Sequence, residues 1–202
     1  MIKTVIFDIG NVLVDFSWHE FFDKFGLDEK TYERLSNATV LNEDWNEFDI
    51  GTLTTEEVLE RFKENDPEIA DVIDKVFADA NGLVTRRDYA IPWIKELKEK
   101  GLQVLVLSNF SEKALTDCAD AMDFLPYVDG GILSYKEKVI KPMPEIYERL
   151  IRQNHLVPQE CVFFDDLQKN LDGAAAFGIH TILFQNKEQA EAELKALIES
   201  KE

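Results

Sequence analysis

The sequence predicts an α/β protein, a parallel sheet flanked by helices, with a small helical segment inserted after the first strand. Three observations lead there. Apolar, β-rich runs at 4–7, 102–107, 131–133, 161–164 and 180–184 are separated, from residue 89 onward, by stretches of helical periodicity, which is how a sheet buried on both faces reads. Between the first run and residue 89 the periodicity is helical alone. Three of the runs stop at polar residues, and the carboxyl edge of a parallel sheet is where such folds bind ligands.

At 202 residues, 45% of them hydrophobic and 14 of them Phe, the chain can bury a substantial core. Its 40 acidic against 22 basic residues give a formal charge of -18, which repels nucleic acid and anionic membrane. The expected partner is a small molecule, held by local Lys residues and backbone N–H groups if it is an anion, and the expected assembly is a monomer or weak homodimer. No apolar run near Met1 approaches the roughly 18 residues of a membrane span, so the expected location is the cytoplasm. Cys118 and Cys161 match no metal or redox spacing and read as buried free thiols.

In chain order, Thr4-Val5-Ile6-Phe7 is the first strand, stopped at Asp8 and followed by Gly10-Asn11, a turn that leaves the Asp8 carboxylate exposed to a crevice. From Ser17 to about Asp88 helices are predicted. Asp28 caps one, Thr54 with Glu57 forms a capping box for the next, and Asp66-Pro67 gives an N-cap with proline at the first helical position. This acidic bundle reads either as a solvated face or as a lid over the Asp8 crevice. Pro92 begins a helix stopped by Gly101, and the strand at 102–107 ends in Ser108-Asn109. Helices at 112–121 and 144–154 flank a short strand at 131–133. The strand at 161–164 ends in Asp165-Asp166, and helix 170–177, strand 180–184 and helix 187–200 complete the chain.

A parallel sheet brings those polar strand ends to one edge. Asp8, Asp165 and Asp166 would repel one another there, and an all-oxygen set without His or Cys suits Mg²⁺ as the neutralising ion. Lys141, in Val139-Ile140-Lys141-Pro142, adds a cation beside carboxylates and a hydroxyl, a setting for an anionic substrate such as a phosphate. Lys138 is a solvated neighbour able to reach the same anion. Trp45 and Phe48 read as helical core, with contact to a sugar face the alternative. His19 reads as a surface residue, and His180 as the start of the last strand.

With these motifs in place the chain resembles the haloacid dehalogenase (HAD) superfamily, most of whose members are Mg²⁺-dependent phosphohydrolases. FDIGNVLVD is similar to its first motif, VLVLSN to its second, Lys141-Pro142 to its third and VFFDD to its fourth. The resemblance implies a Rossmann-like core over 1–15 and 89–202, with 16–88 as a helical cap. It implies that Asp8 is the nucleophile forming an aspartyl-phosphate, with Lys141 beside it. Ser108, Asn109 and Lys141 would hold the phosphoryl oxygens, and backbone at Gly10 and its neighbours would complete the cradle. Mg²⁺ would lie between Asp8, the Gly10 carbonyl and the Asp165-Asp166 pair, with Asp166 favoured by similarity as the direct ligand. Within the superfamily the FD-x-GNV opening resembles bacterial sugar-phosphate phosphatases of the glucose-1-phosphate phosphatase type, which implies a small phosphorylated metabolite as substrate.

One position departs from the pattern. Superfamily phosphatases usually carry a second Asp two residues after the nucleophile, as acid and base; here that residue is Gly10, so slow turnover of poor leaving groups is expected unless Asp15 or a cap residue supplies the proton. The dehalogenase branch also lacks that acid, so metal-free hydrolysis of a 2-haloacid is the second enzymatic reading. A catalytically weak phospho-ligand binder or regulatory protein is the third.

Overall fold

The computed structural model describes residues 1–199; Ser200, the expected end of the last helix, lies outside them. The chain runs β1 (Thr4–Phe7), β2 (Val14–Phe16), α1 (Trp18–Asp23), α2 (Glu29–Ala38), α3 (Trp45–Ile50), α4 (Thr55–Asn65), α5 (Ala70–Phe77) and β3 (Val84–Arg86). It continues through α6 (Ala90–Glu99), β4 (Gln103–Ser108), α7 (Glu112–Asp117), β5 (Gly130–Leu133), α8 (Ser134–Glu137) and α9 (Pro144–Gln153). The last elements are β6 (Cys161–Asp165), α10 (Gln168–Ala175), β7 (His180–Leu183) and α11 (Lys187–Glu199).

Five strands form the expected parallel sheet, in the order β5-β4-β1-β6-β7. Its two faces separate by strand alternation. Val5, Phe7, Val104, Val106, Val162 and Phe164 join one apolar cluster with α6 and the helical segment, whereas Ile6, Leu105, Leu107 and Phe163 join another with α9 and α10. Both faces are covered, so the strands can be apolar throughout. The register aligns Phe7 with Val106 and with Phe164, which brings the residues just beyond β1, β4 and β6 to one edge. The chain lays β4 and β5 on one side of β1, then β6 and β7 on the other, and a crevice forms at that reversal.

The insertion is helical, as its apolar spacing predicts, and it closes around an aromatic cluster in which Trp45, Phe48, Phe62 and Phe77 lie with ring centroids 5.4–6.2 Å apart. The Thr54–Glu57 capping box is formed, and Asp28 accepts from the Thr31 N–H. Two local expectations are corrected. The Asp66 carboxylate does not cap its turn, because it is taken by a bidentate pair with Arg34. The stretch expected to be wholly helical ends in a strand: Val84–Arg86 pairs antiparallel with Val14–Phe16, closing both arms of the insertion in one ribbon. Three residues are too few to show alternation, and their partner is distant in sequence. Likewise α7 stops at Asp117 and is followed by a 3₁₀ turn over Ala119–Met122, and α10 starts two residues earlier than expected. Cys118 and Cys161 are buried free thiols, and His180 begins β7. Among the described residues no helix is long and apolar enough to cross a membrane.

Candidate active site

Asp8 is the first residue beyond β1. Its N–H donates to the Phe164 carbonyl at 2.8 Å, and its Oδ1 accepts from the Ile9 N–H at 2.7 Å. Contrary to the expected exposed carboxylate, Asp8 is only 7% exposed, because the crevice is roofed by the insertion and floored by Lys141. Burial pushes its carboxyl up to about 7, Lys141 pulls it down, and the charge of Asp165 pushes it up again. The Ser108 hydroxyl at the end of β4 adds a hydrogen bond that favours the ionised form.

Lys141 lies in the loop between α8 and α9, and its ammonium is 2.9 Å from Asp8 Oδ1 and 2.7 Å from Asp165 Oδ2. Burial disfavours its charge, but the two carboxylates outweigh burial and raise its pKa, so it stays protonated. Asn109 fixes this loop from both sides. Its Nδ2 donates to the Lys141 carbonyl at 3.0 Å and its Oδ1 accepts from the Lys141 N–H at 2.7 Å. The Asn109 amide is therefore committed to positioning Lys141, which leaves the Ser108 hydroxyl and the Lys141 ammonium, both against Asp8, as the side chains from these two loops that face the crevice. The helix after this strand end is capped by Ser111 instead, whose side chain accepts from the Ala114 N–H.

The acidic pair divides its labour. Asp165 is fully buried, and both its oxygens are taken: Oδ1 by the Leu167 N–H and Asn170 Nδ2, Oδ2 by Lys141 and Asn170 Nδ2. Asp166 is partly exposed and accepts one hydrogen bond, from Asn11 Nδ2 at 2.9 Å. Ligand oxygens of Asp8, Asp165 and Asp166 lie within 4.8 Å of one another, and Asn170 Oδ1 beside them is a buried acceptor with no partner among the described residues. An all-oxygen, carboxylate-rich donor set with a spare carbonyl oxygen fits a hard divalent cation.

A cavity of about 280 Å³ opens over this edge, with Asp8, Gly10, Ser108, Asn109, Lys141 and Asp166 at its base. Phe16, Trp45 and Asp49 from the insertion line its other side, so Trp45 belongs both to the aromatic cluster and to the cavity wall. Three other residues lie elsewhere. Lys138 turns away and donates to the Gly51 carbonyl, His19 pairs with the Tyr32 hydroxyl at 2.8 Å, and Asp15 is bound by Arg87 at 2.7 Å. Sequence reasoning missed Asn11, Asn109 as a clamp on Lys141, Asn170 and Asp49. Asn170, one helical turn beyond the Asp pair, had a spacing that could have marked it.

Comparison with known proteins gives the family. Residues 2–178 match the family described as "Hydrolase: haloacid dehalogenase-like hydrolase". The chain is 29% identical over 97% of its length to mouse "Acyl-CoA dehydrogenase family member 10", of which it spans 19%. It is 25% identical over 99% of its length to the whole of "D-ribitol-5-phosphate phosphatase" from Bacteroides thetaiotaomicron. A HAD family enzyme from that organism, solved with magnesium and inorganic phosphate, superposes with a TM-score of 0.68 at 24% identity, covering 92% of this chain and 95% of that one. A HAD-like hydrolase from Porphyromonas gingivalis gives 0.73 at 18% identity, covering 98% of each chain. An aspartate buried against a lysine at the reversal of a parallel sheet, an acidic pair on the neighbouring strand and a match over residues 2–178 lead to one conclusion: the chain belongs to the haloacid dehalogenase-like hydrolases.

Proposed function

We propose that the protein is a Mg²⁺-dependent phosphohydrolase that transfers the phosphoryl group of a small phosphorylated metabolite to Asp8 and then to water. The observation that carries this reading is the Asp8–Lys141–Asp165 arrangement, with Lys141 Nζ 2.9 Å and 2.7 Å from the two carboxylates. A carboxylate is repelled by a phosphate dianion. Lys141 beside Asp8 offsets that repulsion, and a cation at Asp8, the Gly10 carbonyl and Asp166 would supply the remaining positive charge along with Lewis-acid polarisation of the phosphoryl oxygens. Asp166 suits direct ligation because its carboxylate is the less committed of the pair; Asp165 serves by holding Lys141. The Ser108 hydroxyl and the Lys141 ammonium orient the phosphoryl oxygens for in-line attack by Asp8. Residues 16–88 act as a cap, since Phe16, Trp45 and Asp49 close one side of the cavity and keep bulk water from the acyl-phosphate.

The substrate class is a sugar or polyol phosphate. A cavity of about 280 Å³ with a polar base and an indole wall at Trp45 suits a compact polyhydroxylated body, and the D-ribitol-5-phosphate phosphatase of B. thetaiotaomicron supports the same class. The FD-x-GNV opening adds the glucose-1-phosphate phosphatase type as its bacterial likeness.

A panel of phosphorylated metabolites assayed for phosphate release with and without Mg²⁺ tests the reading, and Mg²⁺-dependent release from sugar or polyol phosphates is expected. Halide release from a 2-haloacid without metal would replace it with the dehalogenase reading. Ligand-induced thermal shifts with no turnover would replace it with a binding protein.

A further inference from the structure

Expulsion of an alkoxide from a phosphate monoester needs a proton, and the water that later cleaves an acyl-phosphate must lose one. Among the described residues, the carboxylates lining the cavity are Asp8, Asp49 and Asp166. Asp8 is the attacking group, and Asp166 is held by Asn11 beside the cation-binding edge. Asp49 is the one that remains, and it comes from the opposite wall. No other described group hydrogen-bonds or ion-pairs its carboxylate, which is close enough to interact with the charges of Asp8 and Lys141.

The backbone around Asp49 is fixed to the core at this place. The Ser134 hydroxyl donates to the Asp49 carbonyl at 2.5 Å, and Lys138, three residues before Lys141 in the same connection, donates to the Gly51 carbonyl. Gly51 closes α3 in a left-handed conformation, φ 68°, with Tyr135 packed where a side chain would stand. The segment that carries Asp49 is thus held by the loop system that carries Lys141.

We propose that Asp49, reaching in from the cap, is the general acid and base of the reaction, an assignment that rests on the phosphohydrolase reading above. As Asp8 forms its bond to phosphorus and the ester P–O bond breaks, Asp49 gives its proton to the leaving oxygen, which departs as an alcohol. The Asp49 carboxylate then takes a proton from the water that attacks phosphorus; the P–O bond to Asp8 breaks, inorganic phosphate leaves, and Asp49 is protonated again. Burial and the nearby charge of Asp8 raise the Asp49 carboxyl to about 7, so both forms are populated at neutral pH.

The test compares wild type, Asp49→Asn, Gly10→Asp and the double variant on phenyl phosphate and 2,4-dinitrophenyl phosphate with Mg²⁺, following phenol release in rapid-mixing and steady-state regimes. A β-carbon at Gly10 would meet nothing within 4 Å, and Gly10 is not among the positive-φ glycines, so a side chain can start there without a backbone clash. Asp49→Asn is expected to lose about 10²–10⁴ in steady-state kcat on both esters. It should keep a stoichiometric burst of dinitrophenol within about tenfold of the wild-type first-step rate, because that leaving group needs no proton. Phenyl phosphate should show no burst, and adding Gly10→Asp should restore most of the lost turnover. A loss shared equally by burst and steady state on both esters, or no loss, overturns the assignment. Wild type alone gives a reading that does not depend on how Asp49→Asn folds: its first-step rate should differ less than about tenfold between the two esters, and a fall of about 10² or more from the dinitrophenyl to the phenyl ester would mean that no acid is in place. Wild type that releases phosphate from neither ester would remove the phosphohydrolase reading itself, and this assignment with it.

Discussion

Asp8 is held ionised at a cost to the fold, and removing its charge should therefore stabilise the metal-free protein. Burial raises its carboxyl from 3.8 to about 7. At about 1.4 kcal/mol per pH unit, ionising it in the folded chain costs up to about 4 kcal/mol more than in the unfolded chain. The sign follows from proton binding. Between pH 3.8 and about 7 the folded state holds more protons at this group than the unfolded state, so its contribution falls as pH rises, and the whole penalty is present above the folded value. Asp8→Asn escapes that penalty. Its amide keeps an acceptor oxygen for the Ile9 N–H and the Lys141 ammonium but not the charge that paired with Lys141, which takes back about 1–2 kcal/mol. Asp165 still neutralises Lys141 at 2.7 Å. The net expectation is a gain of about 2 kcal/mol at pH 8, or roughly 4–8 °C in Tm for a chain of this size, shrinking to near zero at pH 5. Thermal and urea unfolding in EDTA at the two pH values measure it, with Mg²⁺ then added. The metal should stabilise wild type and narrow the gap, because a cation at this edge removes the penalty that Asn avoids. A variant no more stable than wild type at pH 8 without metal, or a gap that does not widen from pH 5 to pH 8, would refute the reasoning. The same variant should lack turnover, since an amide cannot form the acyl-phosphate.

Further outcomes follow from other contacts. Asp166→Ala should abolish most of the Mg²⁺-dependent rise in melting temperature seen with wild type, and an undiminished rise in a metal titration would place the cation elsewhere. Asn109→Ala removes both hydrogen bonds that fix the Lys141 loop; kcat should fall roughly 10²-fold with a smaller change in KM, since a misplaced charge weakens transition-state binding most. Gly131→Ala would place a β-carbon 2.0 Å from the Val106 carbonyl oxygen in a backbone at φ 130°. Urea unfolding should report a loss on the order of 3 kcal/mol or more, or no folded protein.

The sheet and the base of the site were legible because their signals are local. An apolar run that stops at Asp8, at Ser108 or at Asp165 announces both a buried strand and the residue at its carboxyl end, and α/β topology brings such ends together without further information. The ribbon was not legible: Val84–Arg86 is too short to alternate, and its pairing with Val14–Phe16 is a tertiary fact. The roles of Asn109 and Asp49 were hidden for a different reason. Asn109 beside Ser108 reads as a ligand until its amide is found closed on Lys141. Asp49 is one acidic residue among 40, in a helix whose apolar face explains its existence, and only packing singles it out. Asp66 illustrates the converse. A strong local cap signal yielded to Arg34, whose guanidinium offers a carboxylate two hydrogen bonds where a helix start offers weaker ones.

The ribbon of β2 and β3 has a consequence for how such a protein can change over time. Because Val14–Phe16 and Val84–Arg86 are hydrogen-bonded neighbours, the insertion leaves and rejoins the sheet at one doorway, and a different helical unit could be spliced in there without disturbing any strand of the sheet. The outer wall of the cavity could thus be exchanged while the edge that carries Asp8 and Lys141 is kept. In this chain the exchange would not be free, for the transplanted piece would also have to bring a proton donor, or the recipient would have to grow one at Gly10, where a β-carbon would meet nothing within 4 Å.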